Sequence, residues 1–157
     1  MKFNATIIRT SWLYSEYGNN FVSTIIKLTQ KNNNLNIVSD QIGTPTYAGD
    51  LGQAILNIIK NEKFNEPNRV TEIYHYSNEG ECSWYDFATE VINISGDKCT
   101  LNPINSEDYP TAARRPRNTI MSKEKISNEF GLKIVFWKDS LKCCMKNLPT
   151  LSLLNKE

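Results

Sequence analysis

An α/β fold is what this sequence predicts, on three observations. Runs of β-branched and aromatic residues alternate along the chain with amphipathic helical stripes. The connections between them are short, with no internal repeat and no long linker. Hydrophobic residues make up 39% and charged residues 22% of 157, enough to bury a core in one soluble domain. The expected extent is a single α/β domain over residues 1–149, with residues 150–157 a loose tail.

Thr6 to Tyr14 opens with Ile7 and Ile8 and reads as a strand. Asn20 to Lys31 sets Phe21, Val22, Ile25, Ile26 and Leu28 on one helical stripe, which the polar run Asn32-Asn33-Asn34 ends. Leu35 to Ser39 is a short strand. Tyr47 to Lys60 repeats Leu51, Ala54, Ile55, Ile58 and Ile59 at helical spacing. Thr46 is placed to cap that helix, and Asp50 lies near the positive end of its dipole.

Glu72 to Ser77 is a further strand. Ser83 then starts a helix in which Asp86 completes a capping box. Trp84, Phe87, Ala88, Val91 and Ile92 form its buried face, and Gly96 supplies a left-handed end. Thr100 to Ile104 is a strand, and Ser106 to Asn118 a polar loop. Ser122 is expected to cap a short helix reaching Phe130 and closed by Gly131. The last helix, Trp137 to Leu148, buries Trp137, Leu141, Cys144, Met145 and Leu148, and Pro149 stops it.

Several function classes are disfavoured. With 18 basic and 17 acidic side chains, the net charge of +1 gives no field to attract nucleic acid or an anionic membrane. No apolar run is long enough to span a bilayer, and the first six residues lack an apolar signal segment, so the cytoplasm is the expected location. Cys82, Cys99, Cys143 and Cys144 form no C-x-x-C pair, and His75 has no second ligand at metal spacing. They read as structural thiols, with Cys143 and Cys144 small buried hydrophobes. His75 is assigned no chemistry.

Two dinucleotide-reductase signatures are missing. No glycine-rich turn of the G-x-G-x-x-G type can be drawn from the seven glycines; Gly49 and Gly52 fall inside a helical pattern and read as packing. No tyrosine is followed four places on by lysine, the pair in which the lysine lowers the phenol pKa for proton transfer.

Five stretches carry a family resemblance. They are Ile8-Arg9-Thr10-Ser11-Trp12-Leu13-Tyr14, Gly18-Asn19-Asn20-Phe21, Val38-Ser39-Asp40-Gln41-Ile42-Gly43-Thr44-Pro45-Thr46-Tyr47, Tyr74-His75-Tyr76-Ser77-Asn78-Glu79-Gly80 with Ser83-Trp84, and Ala113-Arg114-Arg115-Pro116. In this order and spacing, from Thr6 to about Leu148, they resemble the C-terminal half of the dTDP-4-dehydrorhamnose reductases, extended short-chain dehydrogenase/reductases. The resemblance implies the C-terminal part of a Rossmann-like fold that lacks the N-terminal dinucleotide-binding half. It implies a dTDP-sugar as ligand, and NAD(P)H as cofactor of the full-length enzyme at a site outside this chain. It also implies a missing N-terminal half or a homodimer partner, and possible magnesium use with no assignable ligands. On this reading the chain alone is not active.

The resemblance singles out four substrate-binding candidates and no catalytic residue. Trp12 would wall the hexose ring and donate one hydrogen bond, against a core reading. Asn20 would meet a phosphate or sugar oxygen, against a helix cap. Gln41 would read a sugar or base edge with its donor and acceptor. Arg115 would hold the diphosphate through two oxygens, against a solvated basic loop, with Arg114 and Arg117 in solvent. Trp84 and Trp137 read as core. Two other readings stay open: a non-catalytic binding or regulatory module, like the regulatory subunit of methionine adenosyltransferase, and half of a nucleotide-sugar epimerase or dehydratase. The D-Q-x-G-x-P-T stretch speaks against the second.

Overall fold

The computed structural model describes residues 5–66, 70–109, 111 and 115–148. Expectations for Pro149, the tail at 150–157 and Arg114 lie outside these. Eight strands and five α-helices alternate among the described residues: β1 (Thr6–Arg9), β2 (Leu13–Tyr14), α1 (Phe21–Thr29), β3 (Asn34–Val38), β4 (Ile42–Gly43), β5 (Thr46–Tyr47), α2 (Ala48–Lys60), β6 (Glu72–His75), β7 (Cys82–Ser83), α3 (Trp84–Ser95), β8 (Thr100–Ile104), α4 (Glu124–Phe130) and α5 (Trp137–Lys146). The α/β expectation holds.

The strands pair two by two. β1 runs parallel to β6, β2 to β5 and β3 to β8, while β4 and β7 are antiparallel. Alternation along β1 and β6 follows the two-residue period: Tyr74 is buried beneath the ladder, while Ile7 and Ile73, opposite each other, are about half exposed on the other face. Parallel ladders are normally covered on both faces.

Two apolar clusters hold the elements. The larger joins α1, α3 and α5 through Val22, Ile25, Phe87, Val91, Trp137, Leu141 and Cys144. The smaller joins α2, β6 and α4 through Ala54, Ile58, Tyr74, Tyr76, Ile126 and Phe130. Asn78, fully buried, ties the two together. Its Nδ2 donates to Asp50 Oδ2 (2.6 Å), Ser140 Oγ (2.8 Å) and the Val135 carbonyl (3.2 Å), and its Oδ1 accepts from the Tyr47 N–H. Asp50 at the head of α2 is thereby held against Ser140 in α5.

The helix ends follow local chemistry where side chains were read in sequence. Ser83 and Asp86 form the expected capping box, and Gly96 and Gly131 end α3 and α4 at φ 76° and 65°, where a side chain would be strained. Other expectations change. The strand at Thr6–Tyr14 breaks at Trp12, whose φ is 46°. Thr46 is a strand residue whose hydroxyl accepts from Thr10, and Tyr47 takes the cap position of α2 without a side-chain bond. Lys123, rather than Ser122, stands at the cap of α4; Ser122 Oγ only accepts from the Glu124 N–H at 3.4 Å. Gly49 does pack, against the Tyr47 ring, whereas Gly52 faces open space. Cys143 is exposed, because it falls off the stripe of Trp137, Leu141, Cys144 and Met145 that α5 buries. Cys82 and Cys144 are buried, and burial pushes both thiols up to about 12, so they stay protonated.

Candidate functional site

A groove of about 1090 Å³ runs along α1 and β3 to the segment after β8. Phe21, Thr24, Ile25 and Leu28, spaced i, i+3, i+4, i+7, present one face of α1 to it. Leu28 is therefore partly exposed although it continues the apolar stripe. Ile37 and Val38 of β3 and Trp84 at the head of α3 extend the apolar lining; the polar part includes Gln41, Ser106, Arg115, Arg117 and the carboxylate of Glu107. Apolar walls with a few placed polar groups are the composition of a small-molecule site.

Strand pairing assembles these parts from distant sequence. The β4–β7 ladder sets Ile42 opposite Ser83, which brings Trp84 near Gln41. The β3–β8 ladder sets Val38 opposite Ile104 and carries Asp40 to Ser106. Asp40 Oδ1 accepts from both the N–H (2.9 Å) and the Oγ (2.6 Å) of Ser106, and Gln41 Nε2 donates to Ser106 Oγ at 2.9 Å. The Ser106 hydroxyl bond, first among several causes, holds the Asp40 carboxyl below its ordinary pKa, so it is ionised at neutral pH.

The four candidates fall around this groove in different ways. Gln41 and Arg115 line it. Arg117 lies in solvent as expected, its side chain 72% exposed, with Nη2 3.4 Å from Glu107 and Nε 3.9 Å from Asp40. Arg115 has no carboxylate partner among the described residues. Asn20 is the N-cap of α1: its Oδ1 accepts from the Ser23 N–H, and its Nδ2 donates to the Ser15 and Tyr17 carbonyls. Both amide donors are engaged, so Asn20 acts on the groove by fixing where α1 starts.

Trp12 stands behind the groove. Its ring stacks on Trp84 with centroids 3.6 Å apart and planes 9° from parallel, and Trp84 is the ring that lines the cavity. Phe21 lies 4.6 Å from Trp84. The left-handed backbone of Trp12, a conformation that costs a non-glycine residue on the order of 1–3 kcal/mol, is held by this stack and by the Thr46 N–H, which donates to the Trp12 carbonyl. Gly43 is required beside it, since a Cβ there would meet the Trp12 ring at 2.6 Å and Thr119 Oγ1 at 2.5 Å. The apolar stripe of α3 hid the second side of Trp84: Phe87 is fully buried, while Trp84, one turn earlier, packs against the core and is only partly buried, so its ring also lines the groove.

Among the described residues no three of His, Cys, Asp and Glu gather as a metal site, and no helix is long and apolar enough to cross a membrane.

An α/β substrate-binding unit of the extended short-chain reductase type is the class that this fold and groove define. Residues 1–150 match the RmlD substrate binding domain, and the chain belongs to that family. It is 38% identical over 141 residues to the dTDP-4-dehydrorhamnose reductase of Sinorhizobium fredii, covering 87% of this chain and 48% of that protein. It is 40% identical over 139 residues to the spore coat polysaccharide biosynthesis protein SpsK of Bacillus subtilis, covering 88% and 46%. The crystal structure of dTDP-4-dehydrorhamnose reductase from Bacillus anthracis in complex with NADP superposes with a TM-score of 0.81 at 35% identity, covering 90% of this chain and 48% of that one. The chain spans about half the length of the curated relatives it matches.

Proposed function

We propose that this chain is the sugar-nucleotide-binding part of a dTDP-4-dehydrorhamnose reductase, with residues 1–149 acting as one cytoplasmic substrate-binding domain. The observation that carries the reading is a groove with an aromatic wall and a cation, Arg115, that has no carboxylate partner among the described residues, in a chain of this family. A planar base suits the apolar lining beside Phe21 and Trp84, and the guanidinium suits a diphosphate. Trp12 holds Trp84 in place, Asn20 sets the start of α1, and Gln41 offers its amide to the ligand.

The full enzyme would move hydride from NAD(P)H to the C4 ketone of dTDP-4-dehydro-L-rhamnose, yielding dTDP-L-rhamnose. The residues of this chain supply no step of that transfer; they bind and orient the sugar nucleotide. The covering of the Ile7 and Ile73 face belongs, on this reading, to a cofactor-binding half or a second subunit.

Calorimetric titration of dTDP and NADPH separately, at low and high salt, tests the reading. The chain is expected to bind dTDP and not NADPH, and not to oxidise NADPH when dTDP-4-dehydrorhamnose is added. Arg115→Ala should weaken dTDP by about tenfold or more, a charge-assisted bond of about 1.5–3 kcal/mol, and the loss should shrink as salt rises. Equal dTDP affinity in the variant would return Arg115 to a solvated loop.

A further inference from the structure

The Asp40–Ser106–Gln41 chain has a direction. A serine hydroxyl has one proton, and the ionised Asp40 can only accept. At 2.6 Å from Asp40 Oδ1, the Ser106 proton is committed to the carboxylate, since two lone pairs so close would repel. Ser106 Oγ must then accept from Gln41. The amide nitrogen of Gln41 is turned to Ser106, and its Oε1 is left without a partner among the described residues, on a side chain that lines the groove.

We infer that Asp40 and Ser106 are positioning residues that fix the polarity of the Gln41 amide, and that Gln41 Oε1 thereby reads a ligand N–H, the N3–H imide of a pyrimidine base. The inference rests on the sugar-nucleotide reading of the groove. A hydroxyl of the hexose both donates and accepts, so it would bond either end of a free amide and gain nothing from a fixed one. An imide N–H only donates. The remaining Gln41 N–H can meet the carbonyl beside it, completing a two-bond pair. Cytosine presents the reverse pattern, an acceptor at N3 beside an amino donor, and sets its N3 lone pair against Oε1. A buried mismatch of donor and acceptor discriminates more strongly than a missing contact.

The groove's apolar walls favour the base over the hexose for this position. Val38 lies three residues before Gln41 and Trp84 is brought near it by the β4–β7 ladder; both line the cavity. A flat ring between apolar side chains with one polar edge on Gln41 satisfies all three groups at once.

The test is the ratio of dTDP to dCDP affinity, measured by calorimetry on the 157-residue chain and its variants. Wild type is expected to prefer dTDP by about tenfold, the worth of one oriented hydrogen bond with its mismatch penalty. Ser106→Ala frees the amide to turn over and should bring the ratio close to one, with dCDP binding improved; Ser106→Thr keeps the hydroxyl and should keep the preference. A general loss of structure would weaken both nucleotides alike and leave the ratio unmoved, which separates positioning from folding. If dTDP binds but Ser106→Ala keeps the full preference, or wild type shows none, the polarity inference is overturned and the groove reading stands. If neither nucleotide binds, the groove reading falls and this inference with it.

Discussion

The same three groups occur twice in this molecule, with opposite consequences. Asp50, Ser140 and Asn78 form a carboxylate, a hydroxyl and an amide in sequence, as do Asp40, Ser106 and Gln41. In the first set the amide also reaches the carboxylate, a carbonyl and a backbone N–H, and Asn78 and Ser140 are buried. In the second set the amide ends on the groove, its oxygen without a partner among the described residues. A closed network welds elements together, whereas an open one holds a side chain ready for something that is not protein. Burial decides which is which, because an unpaired acceptor is costly in the core and cheap at a wet surface.

The comparison breaks most visibly at its buried end. Asn78→Ala should destabilise the chain by about 3 kcal/mol or more, because it strands the Tyr47 N–H and removes the amide donor from Asp50, Ser140 and the Val135 carbonyl together. Chemical denaturation would measure it; a loss within experimental error would mean that water replaces the amide. Next in size, Gly43→Ala should cost about 1–3 kcal/mol, since its Cβ overlaps the Trp12 ring and Thr119. The parallel indoles of Trp12 and Trp84 should give a coupled far-ultraviolet dichroism signal in wild type that this variant weakens.

The finest cut is a matched pair. Ser140→Ala should cost about 1–2 kcal/mol, while Ser106→Ala, at a half-buried site, should cost under about 0.5 kcal/mol. Equal losses would show that the two networks are alike and that the groove-side serine is structural. Asp40 adds a pH arm without a large energy. Its folded pKa lies below the ordinary 3.8, so its contribution is fully present above that value and lost as pH falls through the lower folded one. The stability difference between wild type and Asp40→Asn should therefore be constant from neutral pH down to about 5 and shrink only below the ordinary carboxylate range.

Much of this was legible in the chain itself. Capping residues such as Ser83 with Asp86, and the helix-ending Gly96, act within one turn, so their neighbours in sequence are their neighbours in space. The helical stripe of α1 formed with Val22, Ile25 and Ile26 buried, and the motif residues Gln41 and Arg115 fall on the groove lining. What failed to show was whatever depends on another strand. Thr46 gave up its cap role because β2 pairs with β5, and the strand through Trp12 broke where the indole met Trp84, which lies 72 positions further on.

By itself, then, the sequence determined element type, helix ends and the family motifs, because backbone propensity, capping and turn chemistry are short-range. Only the tertiary structure decided that Trp84 faces the groove while Trp12 backs it, and that Ser106 points Gln41 one way. Each of those outcomes rests on registers that bring together residues 65 to 72 positions apart. Such contacts are chosen by packing of whole ladders against the core, a sum over many side chains that no local pattern contains.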